Sequence, residues 1–240
     1  MKKMVFSVLM AGLVGLAAGQ TIHDSNAQKR DVPAFHGVSV SGSIELFLTQ
    51  GNEESVAISA DDASVRDKVI TEVKDGVLKI YLERRHPKID IDWGNGSRKI
   101  RAYVAVRDID YLGASGSGKT HIEGTIHADK LNINISGSGN VEGGIIVKDL
   151  TLGLSGSANA DLSGSADKSS FAISGSGNIR SYEFSTDYCN ASISGSGNVK
   201  ITVRKELSAH ISGSGNVLIK GDGMIRDYTA SGSGKFKRVN

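Results

Sequence analysis

Cysteine is nearly missing from this chain: Cys189 stands alone among 240 residues. A single thiol closes no internal disulfide, so stability has to come from packing and backbone pairing. Proline occurs twice and aromatic residues make up 5%. So few rings leave no stacking platform for bases or sugars. The six histidines are scattered without metal-ligand spacing. Helical 3.6-residue periodicity is absent from the C-terminal half.

Excess charge is missing as well. Lys2 and Lys3 precede an apolar stretch from Met4 to Leu16, and Ala17-Ala18-Gly19 offers small residues for cleavage. That order reads as a secretory signal peptide over residues 1–19, too short for a comfortable membrane span. No Cys follows it, which excludes a lipoprotein. No later apolar run is long enough for an integral membrane segment. The expected destination is the periplasm, the outer cell surface or the medium. Loss of Lys2 and Lys3 takes the formal charge from +2 to 0, with 26 basic against 26 acidic residues. A neutral chain gives no electrostatic case for nucleic acid or an anionic membrane.

What the chain does have is glycine, 30 residues of it, arranged with a period. Ser-Gly-Ser-Gly begins at Ser115, Ser136, Ser174, Ser194, Ser212 and Ser231, with Ser-Gly-Ser-Ala at Ser155. The intervals are 21, 19, 19, 20, 18 and 19 residues. A period near 20 marks a solenoid, in which each repeat is one coil stacked on the last. With the first Ser of each tetrad at position 0, position −1 reads Ala114, Ile135, Leu154, Ile173, Ile193, Ile211, Ala230. Positions −3 and +5 are apolar in most repeats, while −4 and −2 are polar or small. Apolar residues at every second place give strands. Each repeat is then strand, Gly-rich corner, strand, polar turn, and coils about 4.8 Å apart form a parallel β-helix. Gly at +1 and +3 serves either a sharp corner needing positive φ or a straight strand pressed against a close wall. Both readings stay open.

Residues 113–240 therefore read as regular β-helix, residues 32–112 as strand-rich N-terminal coils or a cap, and residues 20–31 as a flexible segment. Within 32–112, Val56–Ser59, Val77–Leu82 and Arg101–Val106 read as strands and Asp61–Lys68 as a short helical turn. His86–Ser97 reads as a loop.

The outward positions of the tetrad stack into one polar face. It comprises Ser115, Ser117, Ser136, Ser138, Asn140, Ser155, Ser157, Asn159, Ser174, Ser176, Asn178, Ser194, Ser196, Asn198, Ser212, Ser214, Asn216, Ser231 and Ser233. Asn fills position +4 in five successive repeats, where stacked amides form a hydrogen-bonded ladder. Lys119 and Lys235 hold that position in the first and last repeats and read as end caps that discourage edge pairing.

These residues resemble a known family, the putative auto-transporter adhesin head GIN domain, common in Bacteroidetes. The likeness rests on Val38-Ser39-Val40-Ser41-Gly42-Ser43-Ile44-Glu45-Leu46, on Asp75-Gly76-Val77-Leu78-Lys79-Ile80, on Tyr103-Val104-Ala105-Val106-Arg107-Asp108-Ile109, and on the serial Gly-Ser-Gly-Asn motifs. It implies an all-β, right-handed, pectin-lyase-like parallel β-helix without an identified catalytic set, and an adhesin role proposed from architecture.

Gly113-Ala114-Ser115-Gly116-Ser117-Gly118-Lys119-Thr120 matches the phosphate-binding pattern GxxxxGK[ST]. Phosphate binding needs a helix next. An alternating strand, His121 to Ile126, follows instead, so no nucleotide is expected. Acids recur before the tetrads at Asp129, Asp149, Asp167, Asp187 and Glu206, with Lys130, Lys148, Lys168 and Lys205 beside four of them. A carboxylate column can hold Ca²⁺, but adjacent Lys favours a charge-compensated turn. Cys189 falls in an apolar column with Leu131, Leu150 and Leu207, as a buried thiol.

The expected function is a non-catalytic exported binding module, without cofactor, for a surface glycan or cell-envelope component. A carbohydrate-active enzyme on the same scaffold is the alternative, and a ligand-free envelope protein the third.

Overall fold

The computed structural model describes residues 24–83 and 99–239, together with the backbone of 14–15 and 21–22. Apart from 14–15, the expected signal peptide lies outside the described residues. So do Arg84-Arg85-His86, a small basic cluster in the sequence, and the loop expected at His86–Ser97. The structure is nearly all β, with 75% strand and 2% helix, and winds as a β-solenoid of about 7 turns.

The chain does not lay down its coils in sequence order. β1 (Val14–Gly15) and β2 (Thr21–Ile22) form a separate two-residue antiparallel ladder. After β3 (Gln28–Arg30), the first coil holds β4 (Gly37–Gly42) and β5 (Glu45–Gln50). Next come β6 (Ser55–Ala60), α1 (Ala63–Arg66), β7 (Val69–Lys74), β8 (Val77–Leu82) and β9 (Ile100–Val106). β8 and β9 pair parallel with β4 and β5 from outside, so the later coil sits beyond the earlier one. β6 and β7 add antiparallel to β9 and β8 and cover that end. The chain then returns to the opposite side of β4 with β10 (Tyr111–Gly116), setting Ser115 against Ser41 and Gly116 against Gly42. The motif Ser41-Gly42-Ser43-Ile44 is therefore a corner of the same kind, 74 residues before its structural neighbour.

From β10 the coils stack in order. β11 (Lys119–Gly137), β12 (Asn140–Gly156), β13 (Asn159–Gly175), β14 (Asn178–Gly195) and β15 (Asn198–Gly213) pair parallel in succession. At the end of the stack β16 (Asn216–Lys220) and β17 (Met224–Gly232) both pair with β15, and β18 (Lys235–Arg238) pairs with β16 one coil further out.

The region before residue 113 is thus part of the solenoid as well as its cover. Residues 24–31, expected to be flexible, are docked: β3 pairs antiparallel with β6, and Tyr103 donates to Asp24 at 3.0 Å. The expected helical turn is α1, started by the Asp62 carboxylate accepting from Ser64 N at 2.8 Å.

The inward columns form one core. Leu152, Phe171 and Ala191 follow one another in register, all buried, with the small Ala beside the large Phe. Such alternation lets side chains of neighbouring coils interdigitate. Each large side chain buried there contributes about 1.5–3 kcal/mol.

The two open readings of the glycines divide between the two positions. The +1 glycine is the corner. At Gly195 φ is +123°, and an added Cβ would meet Gly175 O of the previous coil at 2.4 Å. The +3 glycine faces inward with ordinary φ. At Gly197, which is buried, a Cβ would meet Gly177 O at 2.4 Å and Ile173 Cγ2 at 2.6 Å. Backbone bonds carry the ladder through the corner: Ser196 N and Gly197 N both donate to Gly175 O, at 2.9 and 3.1 Å.

Candidate functional site

The corner divides the outward residues between two faces. Position 0 closes the first, position +2 rides the corner, and position +4 opens the second. The serines Ser115, Ser136, Ser155, Ser174, Ser194, Ser212 and Ser231 are all exposed. Their corner partners Ser117, Ser138, Ser157, Ser176, Ser196, Ser214 and Ser233 are exposed too. Ser115 Oγ donates to Ser41 Oγ at 2.9 Å, so the row starts one coil earlier than the tetrads do.

On the second face Asn140, Asn159, Asn178, Asn198 and Asn216 are half-buried and joined side chain to side chain. Each Nδ2 donates to the Oδ1 of the preceding coil: Asn159 to Asn140 at 2.9 Å, Asn178 to Asn159 at 3.1 Å, Asn198 to Asn178 at 2.9 Å and Asn216 to Asn198 at 2.8 Å. Lys235 lies on β18, the outermost strand. Lys119 does not lie at an end. β11 is flanked by β12 on one side and β5 on the other, so Lys119 stops the Asn run but not the stack. The end-cap reading of Lys119 is corrected on that ground.

Two open grooves follow these rows. The first, about 480 Å³, runs over the first face; its floor includes Gly113, Gly153 and Ala172, and Ser115, Ser136 and Ser155 are among its lining. The second, about 370 Å³, lies over Lys119, His121, Asn140, Glu142, Asp161 and Arg180. His121 is pinned there. Its Nδ1 lies 2.7 Å from Glu142 Oε1, its Nε2 3.1 Å from Glu45 Oε1, and its ring stacks on Phe47 at 5.0 Å. Arg180 donates to Asn159 Oδ1 at 3.0 Å, tying this groove to the ladder. The +6 column of His121, Glu142, Asp161 and Arg180 is not apparent from the tetrads. Its signal is the same strand parity, read two residues further on.

The phosphate-binding match falls on strand, corner and strand. Thr120 is buried in the inward +5 column, and its Oγ1 has no hydrogen-bond partner. A hydroxyl facing the core reaches no ligand, so the motif is a by-product of the repeat.

The acids do not form one column. Asp149 is in register with Lys130 on one side and Lys168 on the other. Lys148 holds Asp129 at 2.7 Å, and its hydrogen bond keeps that carboxyl below the usual range. Lys205 and Arg204 do the same for Asp187, at 2.7 and 2.6 Å. Among the described residues no group of three or more His, Cys, Asp or Glu is placed to hold a metal ion. Cys189 stacks between Ser169 and Leu207, and burial pushes its thiol up to about 12. Among the described residues no helix is long and apolar enough to cross a membrane.

Fold and faces together define a class: a parallel β-solenoid that displays stacked polar side chains around a glycine corner. The chain belongs to the family described as putative auto-transporter adhesin, head GIN domain, whose model matches residues 34–223. Crystal structures share the fold. A putative adhesin from Bacteroides fragilis superimposes with a TM-score of 0.80 at 21% identity, over 89% of this chain and 96% of that one. A putative lipid binding protein from Parabacteroides distasonis gives 0.70 at 24%, over 89% and 96%. A putative adhesin from Parabacteroides merdae gives 0.62 at 21%, over 89% and 95%. No curated protein matches the chain.

Proposed function

We propose that the protein is a non-catalytic binding module, exported by the signal peptide read at residues 1–19, that holds an extended glycan of the cell surface or envelope along its first groove. The observation that carries the reading is the row of exposed serines along a groove floored by Gly113, Gly153 and Ala172. Hydroxyls repeated at coil spacing, about 4.8 Å, offer many weak and equivalent hydrogen bonds to a polymer, and multivalency converts them into useful affinity. Tyr111 Oη stands over Gly113 and Asn134 Oδ1 over Gly153, adding polar partners along the groove, and Ala172 is the exposed small residue of its floor. Membership of an adhesin-like family agrees with this reading.

The test is a titration of the mature chain against a panel of soluble polysaccharides, repeated with Ala172→Leu. That exposed residue can be enlarged without touching the core. Binding lost in the variant with an unchanged melting temperature supports the groove. Binding equal in both removes it.

One observation favours the enzymatic alternative: Glu142 and Asp161 are register partners on adjacent strands beside Lys119 and Arg180. Paired carboxylates are what glycoside hydrolysis uses. Release of reducing ends from the same panel, abolished by Asp161→Ala, would replace the binding reading with that one. A panel blank in both assays would leave a ligand-free envelope protein.

A further inference from the structure

The formal neutrality of the mature chain conceals a sorting of charge. On the second face, Arg180, Lys200 and Lys237 occupy position +6, Lys235 occupies +4, and Lys220 occupies +8. Arg180 is in register with Lys200, Thr202 with Lys220, and Leu218 with Lys237. Among the described residues none of these five cations makes an ion pair. Arg180 bonds an Asn, and Lys220 Nζ lies 4.9 Å above the Tyr182 ring. Elsewhere in the same coils three bases are matched to acids, and Arg238 donates to the Gly221 and Gly223 carbonyls. Arg204 and Lys205 hold Asp187, and Arg226 holds Glu206 at 3.1 Å. No carboxylate stands at an outward +4, +6 or +8 position from Asn178 to Lys237. The nearest acids in sequence, Glu183 and Asp222, sit where the face ends, at a register shift and at a bend.

Arg180 borders Asp161 in the second groove, whereas the four lysines beyond it make no ion pair among the described residues; outward positions here stand on a grid of about 4.8 Å between coils and about 6.7 Å along a strand. Repulsion among the lysines opposes folding. The inward columns that build the coil do not require them, so the patch points to an external anion. We propose that the C-terminal half of the Asn face is a binding site for an acidic polysaccharide. The surface is a parallel sheet, which suits a linear chain with one charge per sugar unit. The half-exposed amides of Asn178, Asn198 and Asn216 lie beside the cations, where they meet the hydroxyls of such a chain. A lipid surface asks for exposed apolar anchors, and only the half-buried Leu218 and Val239 are aliphatic among the described outward +4, +6 and +8 positions of this half-face. Single-stranded nucleic acid asks for stacking rings, and the one ring here, Tyr182, lies under Lys220. The site does not depend on the serine groove, which lies across the corner.

The experiment titrates polygalacturonate, dextran sulfate and neutral dextran into the full mature chain. A polyanion should bind, and raising salt from about 50 to 200 mM should weaken it about tenfold or more as counterion release is lost. The triple variant Lys200→Gln, Lys235→Gln, Lys237→Gln should bind about tenfold more weakly or worse. These three side chains are exposed or half-exposed and hold no ion-pair partner, so the melting temperature should not fall, and relief of their repulsion should raise it slightly. Lys148→Gln, which removes the cation paired to Asp129, should bind as the parent does. A preference for polygalacturonate assigns carboxylated chains and a preference for dextran sulfate sulfated ones. Binding that ignores salt, a triple variant equal to the parent, equal loss in Lys148→Gln, or tighter binding of duplex DNA or phosphatidylserine vesicles would overturn the proposal. Neutral dextran bound equally by parent and triple variant would report on the serine groove alone.

Discussion

Replacing the corner glycine by alanine separates the two costs that this position carries. Gly42 and Gly195 both have positive φ, +92° and +123°, so alanine is strained at either. They differ in what surrounds them. A Cβ on Gly42 has nothing within 4 Å, whereas a Cβ on Gly195 would lie 2.4 Å from Gly175 O and 3.1 Å from its carbon. That oxygen cannot retreat freely, because it accepts from Ser196 N and Gly197 N. Gly42→Ala should therefore cost only the conformational strain, about 1–2 kcal/mol. Gly195→Ala adds an overpacking cost of about 1–3 kcal/mol, for a total near 2–5. Urea unfolding followed by circular dichroism reads the difference as a lower midpoint for Gly195→Ala. Equal midpoints would show that φ alone explains the glycine, and that contact between coils at the corner is not close enough to matter.

The other predictions concern side chains. Asn178→Ala removes two ladder bonds and Asn216→Ala one, so at about 0.5–1.5 kcal/mol per bond the central substitution should cost roughly twice the terminal one in urea. Equal costs would mean independent surface amides. Thr120→Val keeps the shape of a buried side chain and removes a hydroxyl that has no partner, so it should stabilise by about 1 kcal/mol; a loss would indicate an unrecognised bond. Asp187 is held ionised by Lys205 and Arg204. Its contribution is complete above the unfolded carboxylate value of about 4 and disappears as pH falls through the lower folded value. Asp187→Asn should flatten the acid limb of stability against pH, and an equally steep limb would refute the pairing.

How much of this could be read from the residues depends on whether a contact is written at a fixed interval. The tetrads recur every 18 to 21 residues, so the coil, its inward columns and the Asn ladder are legible in advance. Ser41 is part of the same row yet has no neighbour at that interval, because residues 51–83 and 99–110 build the outer coil and its antiparallel cover before β10 returns. Lys119 looks terminal for the same reason: its lower neighbour, the β5 strand, lies far back in the chain. Charge is hidden by a different route. Net charge sums over all faces, and a sum of zero is compatible with carboxylates gathered near His121 and cations gathered from Arg180 to Lys237. In a solenoid the informative quantity is charge per column, since side chains at one position stand about 4.8 Å apart whatever lies between them in sequence. Read by column, the second face runs from acidic to basic along its length. A polymer bound there would have a preferred end, which a uniform row of serines across the corner cannot impose.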